Sequence, residues 1–260
     1  MKRTLITADI DLFPNRFHSF IENAEIYDSS CSPEARVIFI DKDAGYYLKS
    51  AKKGSLRKEA LMTEYFHKKG MGAAVIDYFS GEKDWLLTER VMGEDCTHPD
   101  CLADPIRLCD TIATLLRELH EIDRMDCPVN HTQEYIKTVE KNYREGNYDV
   151  TLFPDDWGYS TPEEALKVFE ENKRFFNTDT LLHGDYCLPN IMLNDWSFSG
   201  FIDLGNGGVG DRHVDLFWGA WTLNFNLKTD KYRERFFDAY GRDKIEEEML
   251  RVVAAAEVFG

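Results

Sequence analysis

Hydrophobic and polar positions follow two rhythms along this chain, and the change falls near residue 100. Before it, short apolar runs alternate with turn residues, as strands do. Glu34–Asp41 (EARVIFID) and Gly45–Ala51 (GYYLKSA) are β-rich and are separated by the turn Asp41–Gly45, so they predict a hairpin. Ser55–Lys69 has helical spacing, with Leu56, Ala60, Leu61 and Tyr65 on one side, Ser55 as N-cap, and Gly70 and Gly72 ending the helix. Ala73–Phe79 and Asp84–Val91 predict two further strands. Beyond residue 100, Ile106, Cys109, Ile112, Ala113, Leu116 and Leu119 form one stripe, the buried face of a helix. Further helices are predicted over about 131–145 and 161–176, the second opened by Thr161-Pro162-Glu163-Glu164. Residues 180–205 read as short strands, and helices resume from Asp211. The pattern therefore predicts an α+β chain. A β-rich N-terminal lobe (residues 1–91) joins a mainly helical C-terminal lobe (92–260) near Glu89–Gly93.

Composition narrows the setting. A chain of 260 residues with 43% hydrophobic and 13% aromatic content can bury a real core, and no repeat or low-complexity tract interrupts it. No apolar run reaches the roughly 18 residues of a membrane helix. Met1-Lys2-Arg3 is basic, but Asp9 and Asp11 break the apolar stretch behind it, so no signal peptide is expected. Cys31, Cys96, Cys101, Cys109, Cys127 and Cys187 are irregularly spaced without a C-x-x-C, which points to reduced thiols in the cytoplasm. A net charge of −16 argues against nucleic acid and anionic membranes as partners. The acidity fits plain solubility, the ordinary reading of any acidic protein, and it also fits a cationic partner or substrate; charge alone does not decide between them.

Candidate chemistry centres on His183–Asn190 (HGDYCLPN). Asp185 on a short loop can accept or orient a hydroxyl proton. Asn190, five residues on and stiffened by Pro189, can reach a metal ion from the same loop. This Asp/Asn spacing is that of kinase catalytic loops, which use a second metal-binding Asp downstream. Here that acid is Asp203, inside Ile202–Gly205 (IDLG), although an Asp-x-Gly is also an ordinary turn. Lys49 ends an apolar strand, where a lysine usually just reaches solvent. A kinase-like site nevertheless needs a strand lysine for the nucleotide phosphates and a helix glutamate to hold it, and Glu59 lies on the next helix. Taken alone, Glu59 also fits an exposed carboxylate paired with Lys52, Lys53 or Lys58. The order Lys, Glu, linker, HGD-x4-N, Asp carries the kinase reading where no single residue does.

In that order the chain resembles the aminoglycoside 3'-phosphotransferase family of antibiotic kinases, which share the protein-kinase fold. The resemblance runs from about Ser30 to Phe259. It is carried by Leu181–Leu193 (LLHGDYCLPNIML), Phe198–Gly205 (FSGFIDLG), Asp211-Arg212 and Val214–Phe217 (VDLF). Cys31–Val37 resembles the nucleotide-covering loop, Asp84–Gly93 the strand into the hinge, and Asp126–His131 the linker after the first long helix. The resemblance implies an ATP-dependent enzyme (GTP being possible) in which Asp185 is the catalytic base and Asn190 and Asp203 hold Mg²⁺. It further implies Lys49 and Glu59 at the phosphates, Ser32 in the covering loop, Tyr47 stacked on adenine, and the backbones of Glu89 and Val91 bonded to the base. Tyr47 fits simple strand packing nearly as well. Carboxylates for a cationic aminosugar are implied at Asp155 and Asp156, between Asp211 and Asp215, and at Glu257, with Phe259 beside it; Asp155 and Asp156 also fit a solvated turn.

Asn206 stands where many family members carry Arg, Ala256 where an acid often precedes the Glu, and Ser30 in place of a common Gly; Gly260 extends the end. These departures bear on the acceptor and leave Asp185, Asn190, Asp203 and Lys49 intact. Other readings keep the fold but change the role: a kinase of a metabolite hydroxyl such as choline, homoserine or a sugar, or a nucleotide-binding protein without turnover. The absence of H-R-D, D-F-G and A-P-E disfavours a protein kinase. The chain is expected as a monomer or homodimer.

Overall fold

The computed structural model describes residues 3–151, 153 and 158–260. They form two compact units. One comprises the residues through His98 together with Pro189–Gly205; the other comprises Pro99–Leu188 and Asn206–Gly260. The strands are β1 (Thr4–Ile6), β2 (Glu25–Asp28), β3 (Ala35–Asp41), β4 (Tyr46–Lys52), β5 (Val75–Ser80), β6 (Lys83–Glu89), β7 (Glu94–Asp95), β8 (Thr180–Leu182), β9 (Ile191–Asn194), β10 (Ser197–Phe201) and β11 (Gly208–Gly210). The helices are α1 (His18–Ile21), α2 (Arg57–Lys68), α3 (Pro99–Leu102), α4 (Pro105–Glu121), α5 (His131–Glu145), α6 (Pro162–Asn172), α7 (His213–Leu227), α8 (Arg233–Tyr240) and α9 (Glu247–Glu257).

The first unit is built on a six-stranded antiparallel sheet in the order β1-β2-β3-β4-β6-β5. The expected hairpin is β3–β4, with Val37 opposite Lys49 and Phe39 opposite Tyr47. Strand alternation then sorts the side chains. Leu48 joins Ile38, Ile40 and Leu87 in a core with Phe13, Phe17 and Ile21. Each large apolar side chain buried there is worth about 1.5–3 kcal/mol. Tyr47 and Lys49 point to the other face, where α2 packs through Leu56 and Ala60 on Leu86, with Ala51 alongside.

The start of α2 departs from the sequence reading. Ser55 does not cap it; its hydroxyl donates to Lys52 O at 2.6 Å. The buried carboxylate of Asp84, from β6, accepts Leu56 N–H at 3.0 Å instead, along with Tyr78 Oη at 2.9 Å and Ser80 Oγ at 2.6 Å. Burial opposes the charge, but these donors and the Gly54 amide outweigh it and hold Asp84 below the ordinary carboxylate range. The buried stripe also differs by one position: Leu61 is 41% exposed, while Glu59, Met62 and Phe66 are buried. The helix is turned so that Glu59 meets Lys49.

The expected boundary after residue 91 does not coincide with the observed units. β7 pairs with β9 in a three-stranded sheet, β10-β9-β7, and Phe201 N–H donates to Met71 O at 2.7 Å. These ladders carry residues 189–205 back to the N-terminal unit.

The second unit is helical, with the short pair β8–β11. α4 packs on α8, α6 on α9, and α7 on both α8 and α9. α4 buries Leu108, Cys109, Ile112, Ala113, Leu115, Leu116 and Leu119, but Ile106, in its first turn, is 52% exposed. Thr161 caps α6 as expected, accepting Glu164 N–H at 3.2 Å. The helix ends at Asn172, and a 3-10 turn, Lys173–Phe175, follows. Among the described residues no helix is long and apolar enough to cross a membrane.

Candidate active site

In the first unit Lys49 is the centre of an ion network. Its Nζ lies 2.9 and 2.8 Å from the two Glu59 carboxylate oxygens and 2.8 Å from Asp203 Oδ1. β4 aims the lysine at the α2 face, and the Asp84 cap fixes where α2 begins. Burial works against the ammonium charge, but Glu59 and Asp203 outweigh it and raise the lysine above its ordinary range. Burial likewise pushes Glu59 up, with the Lys49 charge opposing it. Asp203 follows β10 with φ 58°, a left-handed conformation that Asp tolerates. Its side chain stays half exposed, 51% against 20% for Lys49. Asn190 is adjacent through the backbone, since Ile202 N–H donates to Asn190 O at 3.1 Å. Asp203 and Asn190 thus supply hard oxygen donors on neighbouring segments. Mg²⁺ characteristically takes one or two protein oxygens and completes its shell with phosphates and water, so this sparse set fits it.

The other nucleotide candidates lie in the same unit. Tyr27, Phe39 and Tyr47 pair across β2, β3 and β4, with Phe39 and Tyr47 ring centroids 5.2 Å apart. Tyr47 therefore sits in an aromatic row on the Lys49 face. Arg3 donates to Tyr47 Oη at 2.7 Å and lies 3.7 Å over Phe39. Ser32 is exposed in the β2–β3 loop, where Ser30 Oγ accepts Val37 N–H at 3.0 Å. The Glu89 amide is engaged by Ala74 O at 2.9 Å, so Glu89 can offer a ligand its carbonyl rather than its N–H. Val91 is buried.

In the second unit the loop after β8 is held rigidly. The fully buried Asp215 of α7 accepts the backbone N–H groups of His183 and Gly184, both at 2.7 Å. Leu188 N–H donates to Thr222 Oγ1 at 3.1 Å, and Tyr186 Oη donates to Ile112 O at 2.7 Å. Gly184 is obligatory: at φ 81°, an added Cβ would stand 2.1 Å from Asn206 O. Between these anchors Asp185 remains partly exposed. Its amide donates to His183 Nδ1 at 3.3 Å. Behind Asp215 stand His120, whose Nε2 is 3.2 Å from the carboxylate, and Tyr240, whose hydroxyl is 2.8 Å from His120 Nδ1. Burial lowers the His120 range, which favours a neutral ring that donates from Nε2 and accepts from Tyr240. Burial opposes the Asp215 charge, yet His120 and the His183 amide hold it below the ordinary range. No periodicity or motif links His120, Asp215 and Tyr240, and Asp84 gave no signal either.

The acceptor candidates fare unevenly. Asp155 and Asp156 lie outside the described residues. Asp211 and Asp215 do not form an acidic wall. Asp211 is buried and accepts His213 N–H at 2.9 Å and Asn177 N–H at 2.8 Å, while Asp215 holds the loop. Asn206 is exposed, with its backbone against Gly184. Glu257 is buried and accepts Tyr135 Oη–H at 2.6 Å. Burial raises its carboxyl to about 7, against the hydrogen bonds of Tyr135 and Trp218, and the charge of Asp185 adds to the rise. Phe259 is a core residue: its ring lies among Val139, Ala165, Phe169 and Ala255, and its carbonyl accepts Asn142 Nδ2 at 2.7 Å.

Comparison with known proteins agrees with this organisation. A probable aminoglycoside 3'-phosphotransferase of Lactococcus lactis is 52% identical over 98% of both chains. A solved aminoglycoside 3'-phosphotransferase of type VIII superposes with a TM-score of 0.76 at 24% identity, covering 91% of this chain and 94% of the other. An aminoglycoside phosphotransferase of Streptomyces rimosus, solved with ADP and streptomycin, gives a TM-score of 0.73 at 22% identity, covering 86% and 90%. The last two likenesses concern the fold, which is protein-kinase-like, with a β-rich N-terminal region. The family model described as APH, the phosphotransferase enzyme family, matches residues 33–252, and this chain belongs to that family.

Proposed function

We propose that the protein is an ATP-dependent phosphotransferase that moves the γ-phosphoryl group to the 3'-hydroxyl of an aminoglycoside in the cytoplasm, giving resistance to the antibiotic. The observation that carries the catalytic half is the ion network of Lys49 with Glu59 and Asp203, at the sequence positions a kinase needs. The acceptor half is supported by the 52% identity to a probable aminoglycoside 3'-phosphotransferase. The free thiols of the described cysteines suit a reducing compartment.

In this reading Lys49 pairs with the α- and β-phosphates while Glu59 keeps it extended. Tyr47 stacks on the base, the backbone of Glu89 and Val91 meets its edge, and Ser32 covers the phosphates. Asn190 and Asp203 would hold Mg²⁺, which when bound would neutralise the phosphate charge. Asp185 orients the acceptor hydroxyl and takes its proton as the oxygen bonds to phosphorus and the bond to the β-phosphate oxygen breaks. Little covalent help is needed, because positioning and charge dominate phosphoryl transfer. The Asp215 anchor therefore serves the transfer indirectly, by holding the loop that carries Asp185. Glu257 and Asn206 belong to the acceptor side, together with Asp155 and Asp156.

A panel of aminoglycosides assayed for ADP release with ATP and Mg²⁺ tests this. Kanamycin or neomycin should stimulate release in the native enzyme and not in Asp185→Ala. Release with another hydroxyl compound and with no aminoglycoside would refute the acceptor while leaving the kinase chemistry standing.

A further inference from the structure

α7 carries an aromatic strip that the chemistry above does not use. Trp218, Trp221 and Phe225 follow at spacings of three and four, so they share one side of the helix. The ring centroids of Trp218 and Trp221 are 5.3 Å apart at 85°, and those of Trp221 and Phe225 are stacked at 4.9 Å and 17°. Phe153 packs edge-on to Trp221 at 6.1 Å. The strip is not core: Phe225 is 54% exposed and both tryptophans are partly exposed. Neighbouring, partly exposed rings on a helix otherwise committed to packing mark a candidate binding face.

Two observations indicate which ligand. The strip is continuous with the catalytic loop. Thr222, on the adjoining turn, accepts the Leu188 amide at 3.1 Å, and the Trp218 indole N–H donates to Glu257, whose surroundings include the charge of Asp185. The strip also already seats a cation: Lys228 Nζ lies 4.2 Å from the Phe225 ring centroid. Ring faces attract ammonium groups, tryptophan most strongly. Asp211 and Asp215 are meanwhile consumed by internal hydrogen bonds.

We propose that Trp218, Trp221 and Phe225 are an acceptor platform that binds the ammonium groups of an aminosugar at their exposed ring surfaces, beside the Glu257 carboxylate, one ammonium taking the place over Phe225 that Lys228 now fills. This rests on the acceptor assigned above and adds a mode of recognition: aromatic faces do part of the work that carboxylates would otherwise do.

Calorimetric titration of the native protein with kanamycin, alongside ADP release, tests the platform. Trp221→Ala and Phe225→Ala should each weaken the kanamycin Kd by about threefold to thirtyfold. Trp221→Phe should recover most of the loss, and the KM for ATP should stay within about twofold of the native value in all three. An unchanged kanamycin Kd in both alanine variants overturns the platform, even if turnover is normal and the assigned function stands. Platform-dependent kanamycin binding without ADP release leaves the platform standing and removes the assigned function. If no aminoglycoside binds the native protein, both fall.

Discussion

Glu257→Gln should stabilise the protein above neutral pH and leave it nearly unchanged in mild acid. Glu257 is 7% exposed, and burial lifts its carboxyl to about 7 from an ordinary value of 4.5. Because the folded value lies above the unfolded one, the protonated carboxyl contributes stability that is complete below pH 4.5 and is lost as pH rises through about 7. The gap between about 7 and 4.5 corresponds to roughly 3 kcal/mol. Glutamine keeps the side-chain shape and an oxygen for Tyr135 Oη, now 2.6 Å away, but cannot ionise. Urea unfolding of both proteins at about pH 5 and about pH 8 measures the effect, and comparing variant with native cancels the titrating groups that do not interact with Glu257. The variant should gain on the order of 3 kcal/mol at the higher pH and little at the lower. The same difference at both values would refute the reasoning, because it would mean that Glu257 carries no buried charge. The result also has a functional side: a buried carboxylate made costly by ionisation gains most from a cationic acceptor.

Other outcomes follow from particular contacts. Asp84→Ala removes the acceptor for Leu56 N–H, Tyr78 and Ser80 and should cost on the order of 3 kcal/mol in urea unfolding. Asp215→Asn leaves one of the two loop amides without its carboxylate acceptor, a loss of about 1–3 kcal/mol, and kcat should fall at least about tenfold at unchanged KM for ATP. Gly184→Ala drives a methyl group to within 2.1 Å of Asn206 O at φ 81°, and initial-rate assays should find it nearly inactive while circular dichroism shows it folded.

The Lys49–Glu59–Asp203 network, the core of the proposed catalytic half, was legible because strand alternation, chain order and the family resemblance mark it. Strand alternation put Tyr47 and Lys49 on one face, and chain order marked Glu59 and Asp203. The α2 stripe fails at Leu61 because the buried face runs through Met62 and Phe66 and also takes in Glu59, whose pairing with Lys49 the apolar spacing does not show. Ser55 is the right residue type for an N-cap, but Asp84, 28 positions beyond Leu56, took the contact with the Leu56 amide. The loop anchor escaped for the same reason: His120, Asp215 and Tyr240 are far apart in sequence, and only the fold makes them neighbours. Asp211 and Asp215 carry the charge expected of an acceptor wall, yet burial assigns them to structure. Phe259 carries the apolarity of a core residue, and it is one.

The most direct test is phosphorus NMR of the product formed from kanamycin, ATP and Mg²⁺. The native enzyme should give a phosphate monoester at the 3'-position with matching ADP, and Asp185→Ala should give none. ADP with inorganic phosphate but no kanamycin ester, or an ester formed equally well by Asp185→Ala, would contradict the account.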